Sequence, residues 1–571
     1  MEITCMARLA ALLVSYGGYY RFLRLRSALP ASFIPLFVCC AQGVVVFLAG
    51  LVGMMLPAAY VLCAAGWALG AASFVGARAP KGRSAAPWVL AALMGYALVL
   101  LYGKVLTYND DFSHWGLIAR VLLANDRLPT EADELLSFTS YPPGTACFLY
   151  YVCRAVGATC EWGMMMAQAA LLLSAVVALM PERGLWYALP CTLVAAWFAI
   201  GYDVQLTQLM VDSLMPMMAA ACVALVARMS LQEKAWEWML APVLGFLVLI
   251  KNSALIFAAF VWIAWIAAQR PKKLVQWLRG ALLLAPAALL LLWRAYASVN
   301  IPGALNSMHS MSFSYIKRIL SNKTMLDVLD TAHLFKERLM GEGFAFFLCF
   351  APLTAMALLR LCGVRLDRLT RSLPWLQILW FGLYEFGLLC TYVFSMHVVE
   401  ASLLLQYDRY QGSMTLYMLG VLMVFGFGCV RAVAGRAARA VACGVLAMAA
   451  ACVALGKPPL EALAPADQSG ELRVRLEAML EDCPRGENLR YLQAIDSPDF
   501  RADSHYCARY LLCNGNVTTA NVHEGVYTLA WYESIYQDYD YLIVQDAYPA
   551  VEAFVAAHYP QQAGQAVIRL R

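Results

Sequence analysis

Apolar stretches long enough to cross a lipid bilayer recur along this chain: 31–50, 54–76, 86–106, 163–180, 186–201, 208–228, 278–298, 343–362, 373–396, 413–430 and 440–456. A bilayer-spanning helix needs roughly 20 apolar residues, with about 17–25 normal. Runs of this length, repeated this often, predict an all-α polytopic membrane protein. The composition agrees. Of 571 residues 62% are hydrophobic and only 14% charged, against about 25% charged in a soluble domain. The formal charge of +5 is small and spread between apolar blocks, so no basic patch marks a nucleic-acid partner. The 18 cysteines lie mostly inside apolar runs, where Cys acts as a small hydrophobe. They have neither zinc-site spacing nor the look of a disulfide framework.

The stretch 239–268 is too long for one crossing and is interrupted by Lys251, Asn252 and Ser253. Arg and Lys decide how it is threaded, because cytoplasmic loops carry an excess of them. They cluster at Arg21/Arg24/Arg26, Arg78/Lys81/Arg83, Arg183, Arg228/Lys234, Arg270/Lys272/Lys273, Arg365/Arg368/Arg371 and Arg431/Arg436/Arg439. With every cluster in the cytoplasm, both ends of 239–268 lie on one side. The stretch then enters and returns, with Lys251 at its outer end. Counting it as two short passes predicts about 13 transmembrane helices, N-terminus in and C-terminus out.

Residues 1–30 place a short apolar stretch before their arginines, the reverse of a cleavable signal peptide. They read as a short interfacial helix at the cytoplasmic face. A hairpin at 31–76 precedes a core at 86–456. The outer loops are then 107–162, 299–342 and 397–412, followed by an extracytoplasmic segment at 457–571. That segment opens on the linker "GKPPLEALAPADQSG". It continues with a charged helix candidate (471–482), strand-like runs at 489–495, 509–513 and 539–545, a helix candidate at 550–559 and a last strand at 566–570. The alternation predicts a small C-terminal α/β domain. Among Cys483, Cys507 and Cys513, one pair could form a disulfide.

The chemistry concentrates in a few stretches. "YNDDFSHWGLIARVLLANDRLP" puts Asp110 and Asp111 directly after an apolar run. Trp115, Ile118, Leu122 and Leu123 recur at helical spacing behind them, which predicts an amphipathic helix lying in the interface. "YPPG" at 141–144 is a rigid turn before the chain returns to the membrane. Either aspartate could cap the following helix. A cap needs one carboxylate, however, and two adjacent ones repel. At the mouth of a lipid-facing cavity the pair could instead provide a general base, a metal ligand, or both. Asp212 enters a span and could also be a cap; Lys251 interrupts one, where an ammonium is costly without a purpose. Arg409 in "YDRYQG" could hold a phosphate, pair with Asp408, or snorkel. Glu385 and Glu400 read as structural partners of nearby cations, and His309, His333 and His397 fit no pattern.

The acidic stretch with its "YPPG" return resembles the first extracytoplasmic loop of the GT-C superfamily of membrane glycosyltransferases. That group includes protein O-mannosyltransferases, lipid A aminoarabinose transferases and bacterial polyprenyl-phosphate-sugar enzymes. "VDSLMPM" (211–217), "LIKNSALIFA" (249–258) and "YDRYQG" (407–412) are also similar to stretches of such proteins. The resemblance covers about 85–430. It implies a GT-C-like core that takes a sugar from a polyprenyl phosphate and passes it to an acceptor hydroxyl at the outer face of the cell membrane, with inversion. The acceptor would be a glycan, lipid or protein. The resemblance implies Asp110 as catalytic base with Asp111 second, and substrate contacts from His114, Lys251, Arg409, Asp212, Tyr410 and Tyr141. Some relatives use a divalent cation, Mg or Mn, for which Asp110 or Asp111 would be the ligand here. The rival readings are a transporter or flippase of lipid-linked glycans and a non-catalytic assembly subunit. A transporter predicts paired broken helices at the midplane; the sequence has one interrupted segment and no symmetric counterpart.

Overall fold

The computed structural model describes residues 3–571 apart from 76–83, 134, 183, 202–205, 231–235, 305–311, 434, 456–467, 487, 498–500, 524 and 526. Arg78, Lys81, Arg83, Arg183, Lys234, His309 and most of the 457–467 linker therefore lie outside the described residues.

The chain is mostly helical. In order come α1 (Ile3–Arg26), α2 (Ile34–Gly50), α3 (Met55–Ala72), α4 (Ala86–Leu101), α5 (Gly116–Asn125), α6 (Gly144–Val156), α7 (Glu161–Ala178) and α8 (Leu185–Gly201). Then follow α9 (Leu214–Met229), α10 (Ala241–Val248), α11 (Ala254–Gln269), α12 (Leu274–Leu282), α13 (Ala288–Asn300), α14 (Phe313–Ser321), α15 (Met325–Met340) and α16 (Gly343–Leu361). The membrane-type helices end with α17 (Arg368–Phe394), α18 (Val398–Ser402), α19 (Tyr407–Ala432) and α20 (Gly435–Leu455). Among the described residues, seven helical segments are long and apolar enough to cross a membrane: α3, α7, the rod from α12 to α13, α16, α17, α19 and α20. Shorter apolar helices fill 34–50, 86–101, 185–200, 214–229, 237–248 and 254–269. The stretch 239–268 is two helices, α10 and α11, and the chain leaves helical geometry between them around Lys251.

The chain divides into two compact units. The first comprises Met1–Lys104, Leu122–Thr130 and Thr139–Ala464. Its centre is α19, buried without interruption from Gln411 to Val430; a helix apolar all round belongs in an interior. It lies against α9 through small residues: a Cβ on Gly420 would come 2.5 Å from the Cβ of Ala220. The N-terminal segment is longer than the short helix expected. It is a 24-residue helix laid along α3, where a Cβ on Gly66 would come 2.0 Å from Ser15 Oγ. Ser15 Oγ donates to Cys63 O at 2.8 Å and Tyr19 OH to Leu62 O at 2.7 Å. Glycine on this seam lets the two backbones approach closely enough for such bonds.

The second unit comprises Val105–Val121, Glu131–Phe138 and Pro465–Arg571. Its C-terminal part holds α21 (Gln468–Met479), β1 (Tyr491–Ile495), α22 (Arg501–Leu512), β2 (Val517–Asn521), α23 (Leu529–Ile535), β3 (Tyr541–Val544), α24 (Pro549–His558) and β4 (Val567–Arg569). The sheet order is β2-β1-β3-β4, with β1 parallel to both β2 and β3, and β4 antiparallel to β3. Leu492, Ala494, Ala520, Leu542, Val551 and Phe554 form its core. The strand expected at 509–513 is helix instead: it is the end of α22. Ser504, Cys507, Ala508 and Leu511 are buried at helical spacing, and that period overrides the short apolar run. The β2 strand "VTTAN" was not anticipated. Cys483 and Cys507 are buried and Cys513 is exposed, and no disulfide joins any two of them.

Candidate functional site

The first unit gathers five of the expected site residues into one cluster, and each arrives by a different local device. Asp212 stands just before the first turn of α9 and is buried. The segment leading to it is held by Gln168, whose side-chain amide donates to the carbonyls of Leu209 and Met210 at 2.9 Å each. Ser413 Oγ donates to the Asp212 carbonyl at 2.8 Å. Lys251 stands in the break between α10 and α11. The "YPPG" turn docks on that break: Gly144 N–H donates to Leu249 O at 2.7 Å. A Cβ at position 144 would lie 2.5 Å from the same oxygen, so the approach requires glycine. It brings the Tyr141 ring to 5.9 Å from Lys251 Nζ. Arg409 and Tyr410 lie on the first turn of α19. Tyr384 OH, from α17, donates to Tyr410 O at 2.7 Å.

The charges meet at Asp212. Lys251 Nζ is 3.4 Å from Oδ1 and Arg409 Nε is 3.9 Å from Oδ2. Both cations also lie over the Tyr410 ring, at 5.4 and 5.2 Å from its centroid. The Lys251 and Arg409 side chains are 11% exposed and Asp212 2%. Two cations thus face one carboxylate across distances longer than the roughly 2.7–2.9 Å of a tight charge-assisted bond. The cluster carries a net positive charge, has ring faces for walls, and can receive an anionic group. Asp408, the other carboxylate beside Arg409 in the sequence, meets Arg338 at 3.4 Å.

Ser413, Tyr384 and Gln168 were not singled out in the sequence. Ser413 had a signal: it lies four residues after Arg409 and so on the same helical face. Glu385, expected to partner a cation, is buried on α17 and forms no ion pair among the described residues. Glu400 accepts the His397 backbone N–H at 3.1 Å and so closes the N-terminus of the short α18.

Asp110, Asp111 and His114 belong to the second unit. Asp111–Trp115 form a π-helical turn that leads into α5, with Gly116 N–H donating to Asp111 O five residues back. Such turns are rare and concentrate at functional sites. Asp110 is half-buried and its side chain makes no capping hydrogen bond at this turn. Asp111 and His114 are buried. The His114 ring meets Trp115 at 4.5 Å and Phe138 at 5.7 Å, both edge-on. The turn is held by the C-terminal part of the same unit. The Phe112 ring packs at a tilt of 47° against Tyr510 of α22, with centroids 5.2 Å apart. Arg120 donates to Tyr510 O at 2.8 Å, and Arg473 of α21 donates to Leu106 O at 2.5 Å. In the helix after the turn, Leu117, Ile118, Ala119, Leu122 and Leu123 are all buried, so its apolar positions pack within the protein.

Among the described residues, no group of three or more His, Cys, Asp or Glu side chains is gathered so as to hold a metal ion. No family model matches this sequence, and no curated protein matches it.

Proposed function

We propose that this chain is a membrane glycosyltransferase that moves a sugar from a polyprenyl-phosphate donor to an acceptor hydroxyl at the outer face of the cell membrane. The observation that carries the reading is the convergence of Asp212, Lys251, Arg409, Tyr141 and Tyr410. Stretches scattered between residues 141 and 410 supply a cationic, aromatic-walled cluster beside apolar helices. A lipid-linked phosphate asks for that combination: a planar guanidinium fork and a point-charge ammonium for the phosphate, and apolar surroundings for the chain. In the transition state the leaving phosphate gains charge, and fixed cations stabilise it there. Asp212 holds the two cations in place before the donor arrives.

In this reading acceptor activation falls to Asp110, with Asp111 second and His114 orienting the acceptor or a carboxylate. Reaction occurs by direct displacement at the anomeric carbon, with inversion. The seven long helices and six shorter ones make thirteen passes, N-terminus in and C-terminus out, as the Arg and Lys distribution requires.

The test uses purified protein and a panel of polyprenyl-phosphate sugars. Wild type is expected to transfer sugar to a hydroxyl acceptor. Arg409→Ala and Lys251→Ala are expected to weaken donor binding, and Asp110→Asn to slow turnover with donor binding retained. Undiminished transfer by both Asp110→Asn and Asp111→Asn would remove the catalytic assignment. Undiminished donor binding by Arg409→Ala and Lys251→Ala would remove the phosphate assignment.

A further inference from the structure

A second charged cavity lies at the opposite end of the helices that bear the Asp212 cluster. Asp212 and Arg409 sit at the starts of α9 and α19, while Arg228 and Arg431 sit in their last turns. The 16 residues of α9 span about 24 Å, so the cavity is separate from the site already described. Its volume is about 640 Å³, and Arg24, Glu182, Tyr187, Arg228, Phe427 and Arg431 are among its walls. Three arginines against one glutamate leave it formally positive by two charges.

The three arginines are not equivalent. Arg228 forms the floor and is saturated by the protein. Its Nη2 donates to the carbonyls of Ala178, Leu179 and Met180 at 2.9, 2.7 and 2.9 Å, and its Nη1 to Ser32 Oγ at 2.8 Å. It closes the C-terminus of α7, and its charge is fixed there. Arg24 meets Glu182 Oε1 at 3.4 Å, and that carboxylate is 42% exposed and also accepts the Ala31 N–H at 2.9 Å. Arg431 is 44% exposed. Its carboxylate neighbour, Asp367, is 4.0 Å away and already takes bonds from the Thr370 N–H at 3.0 Å and the Thr370 hydroxyl at 2.6 Å. The Arg24 side chain itself is only 12% exposed, whereas the Arg431–Asp367 pair is open to solvent at both ends, and exposed pairs at such a distance contribute little. The rim thus offers two guanidinium forks to an incoming anion over a buried third charge.

We infer that this cavity is an anion site for a phosphate-bearing group, held by Arg24 and Arg431. Guanidinium forks match phosphate oxygens in pairs, and a basic pocket between membrane helices suits a phosphorylated headgroup. The group has two possible sources: an anionic phospholipid, whose acyl chains the apolar walls beside Tyr187 and Phe427 would accept, or a free phosphate in solution.

The experiment measures thermal unfolding of the full-length protein in neutral detergent. The probes are phosphatidylglycerol with phosphatidylcholine as control, and inorganic phosphate with chloride of equal ionic strength as control. Wild type is expected to show a saturable rise in midpoint with phosphatidylglycerol, with inorganic phosphate, or with both, beyond the controls. A rise with the lipid alone assigns the headgroup source, and a rise with phosphate assigns the soluble one. Arg24→Gln/Arg431→Gln should lower the apparent affinity about tenfold or more, as loss of charge-assisted bonds predicts. Glu182→Gln, at the exposed rim, removes the competing carboxylate and should tighten binding, which keeps the test valid if the double variant does not fold. No rise beyond the controls overturns the inference. So does an affinity in Glu182→Gln equal to or weaker than that of wild type, or one in a folded double variant within about twofold of wild type.

Discussion

Replacing Lys251 with Met tests whether the Asp212 cluster is an interdependent charge network. At an effective dielectric of about 20, a unit pair at the 3.4 Å of Lys251–Asp212 gains about 5 kcal/mol, and one at the 3.9 Å of Arg409–Asp212 about 4 kcal/mol. These are gross attractions, offset by the cost of desolvating Asp212, which is 2% exposed. Removing one partner of a buried pair typically costs about 3–5 kcal/mol, because the other charge is left in place. Lys251→Met retains the unbranched stem and leaves Arg409 as the remaining cation for Asp212, so the lower end, about 3 kcal/mol, is expected. Asp212→Asn leaves two cations facing each other and should cost a similar amount. The double variant removes one charge of each sign. It should be less destabilised than the sum of the singles, with a coupling of about 2 kcal/mol, inside the range found for residues that share a network. Reversible unfolding of the purified protein in mixed micelles, followed by tryptophan fluorescence, measures all four species. Additivity within about 0.5 kcal/mol would refute the network.

Further perturbations probe other links. Gly144→Ala pushes a methyl to 2.5 Å from Leu249 O and should cost about 1–3 kcal/mol while moving Tyr141 away from Lys251; Gly95→Ala, inside α4 with nothing within 4 Å of its added methyl, should not lower the unfolding midpoint and should stabilise by about 0.5–1 kcal/mol. Gly66→Leu should separate α1 from α3 and make residues 3–26 sensitive to limited proteolysis in an otherwise folded protein. Exposed Cys513 should react quickly with maleimide, and buried Cys507 only after unfolding. Burial pushes the Cys483 thiol up to about 11, so its thiolate is scarce at pH 8 and its labelling should accelerate as pH rises toward that value. A mobility change on reduction would contradict the absence of a disulfide among the three.

The helices were legible because each apolar run carries its own length requirement, and a charged residue inside 239–268 has to break the run. The charges themselves were legible too: Lys251, Arg409 and Asp212 are conspicuous in apolar company. Their meeting point was not, because it depends on how α9, α11 and α19 pack, which no local pattern encodes. The short apolar run at 509–513 suggested a strand; only a window reaching back to Ser504 reveals the helical period. The π-turn at Asp111 adds one residue to a helical turn and leaves no compositional trace. The expected amphipathic face of α5 was real as a pattern, but burial covers both of its sides.

The π-turn also has a history within each molecule. Arg120 bonds to Tyr510, 390 residues further along the chain, and Arg473 reaches back 367 residues to Leu106. At a synthesis rate of about 5–20 residues per second, Asp111 emerges from the ribosome roughly 20–80 s before α22 does. During that interval the helices of the first unit can insert and pack, whereas the acidic turn has no scaffold to close on. Its completion therefore comes late in the synthesis of the chain. A chain stopped short of residue 500 would keep its membrane helices and never assemble the turn that carries Asp110 and Asp111.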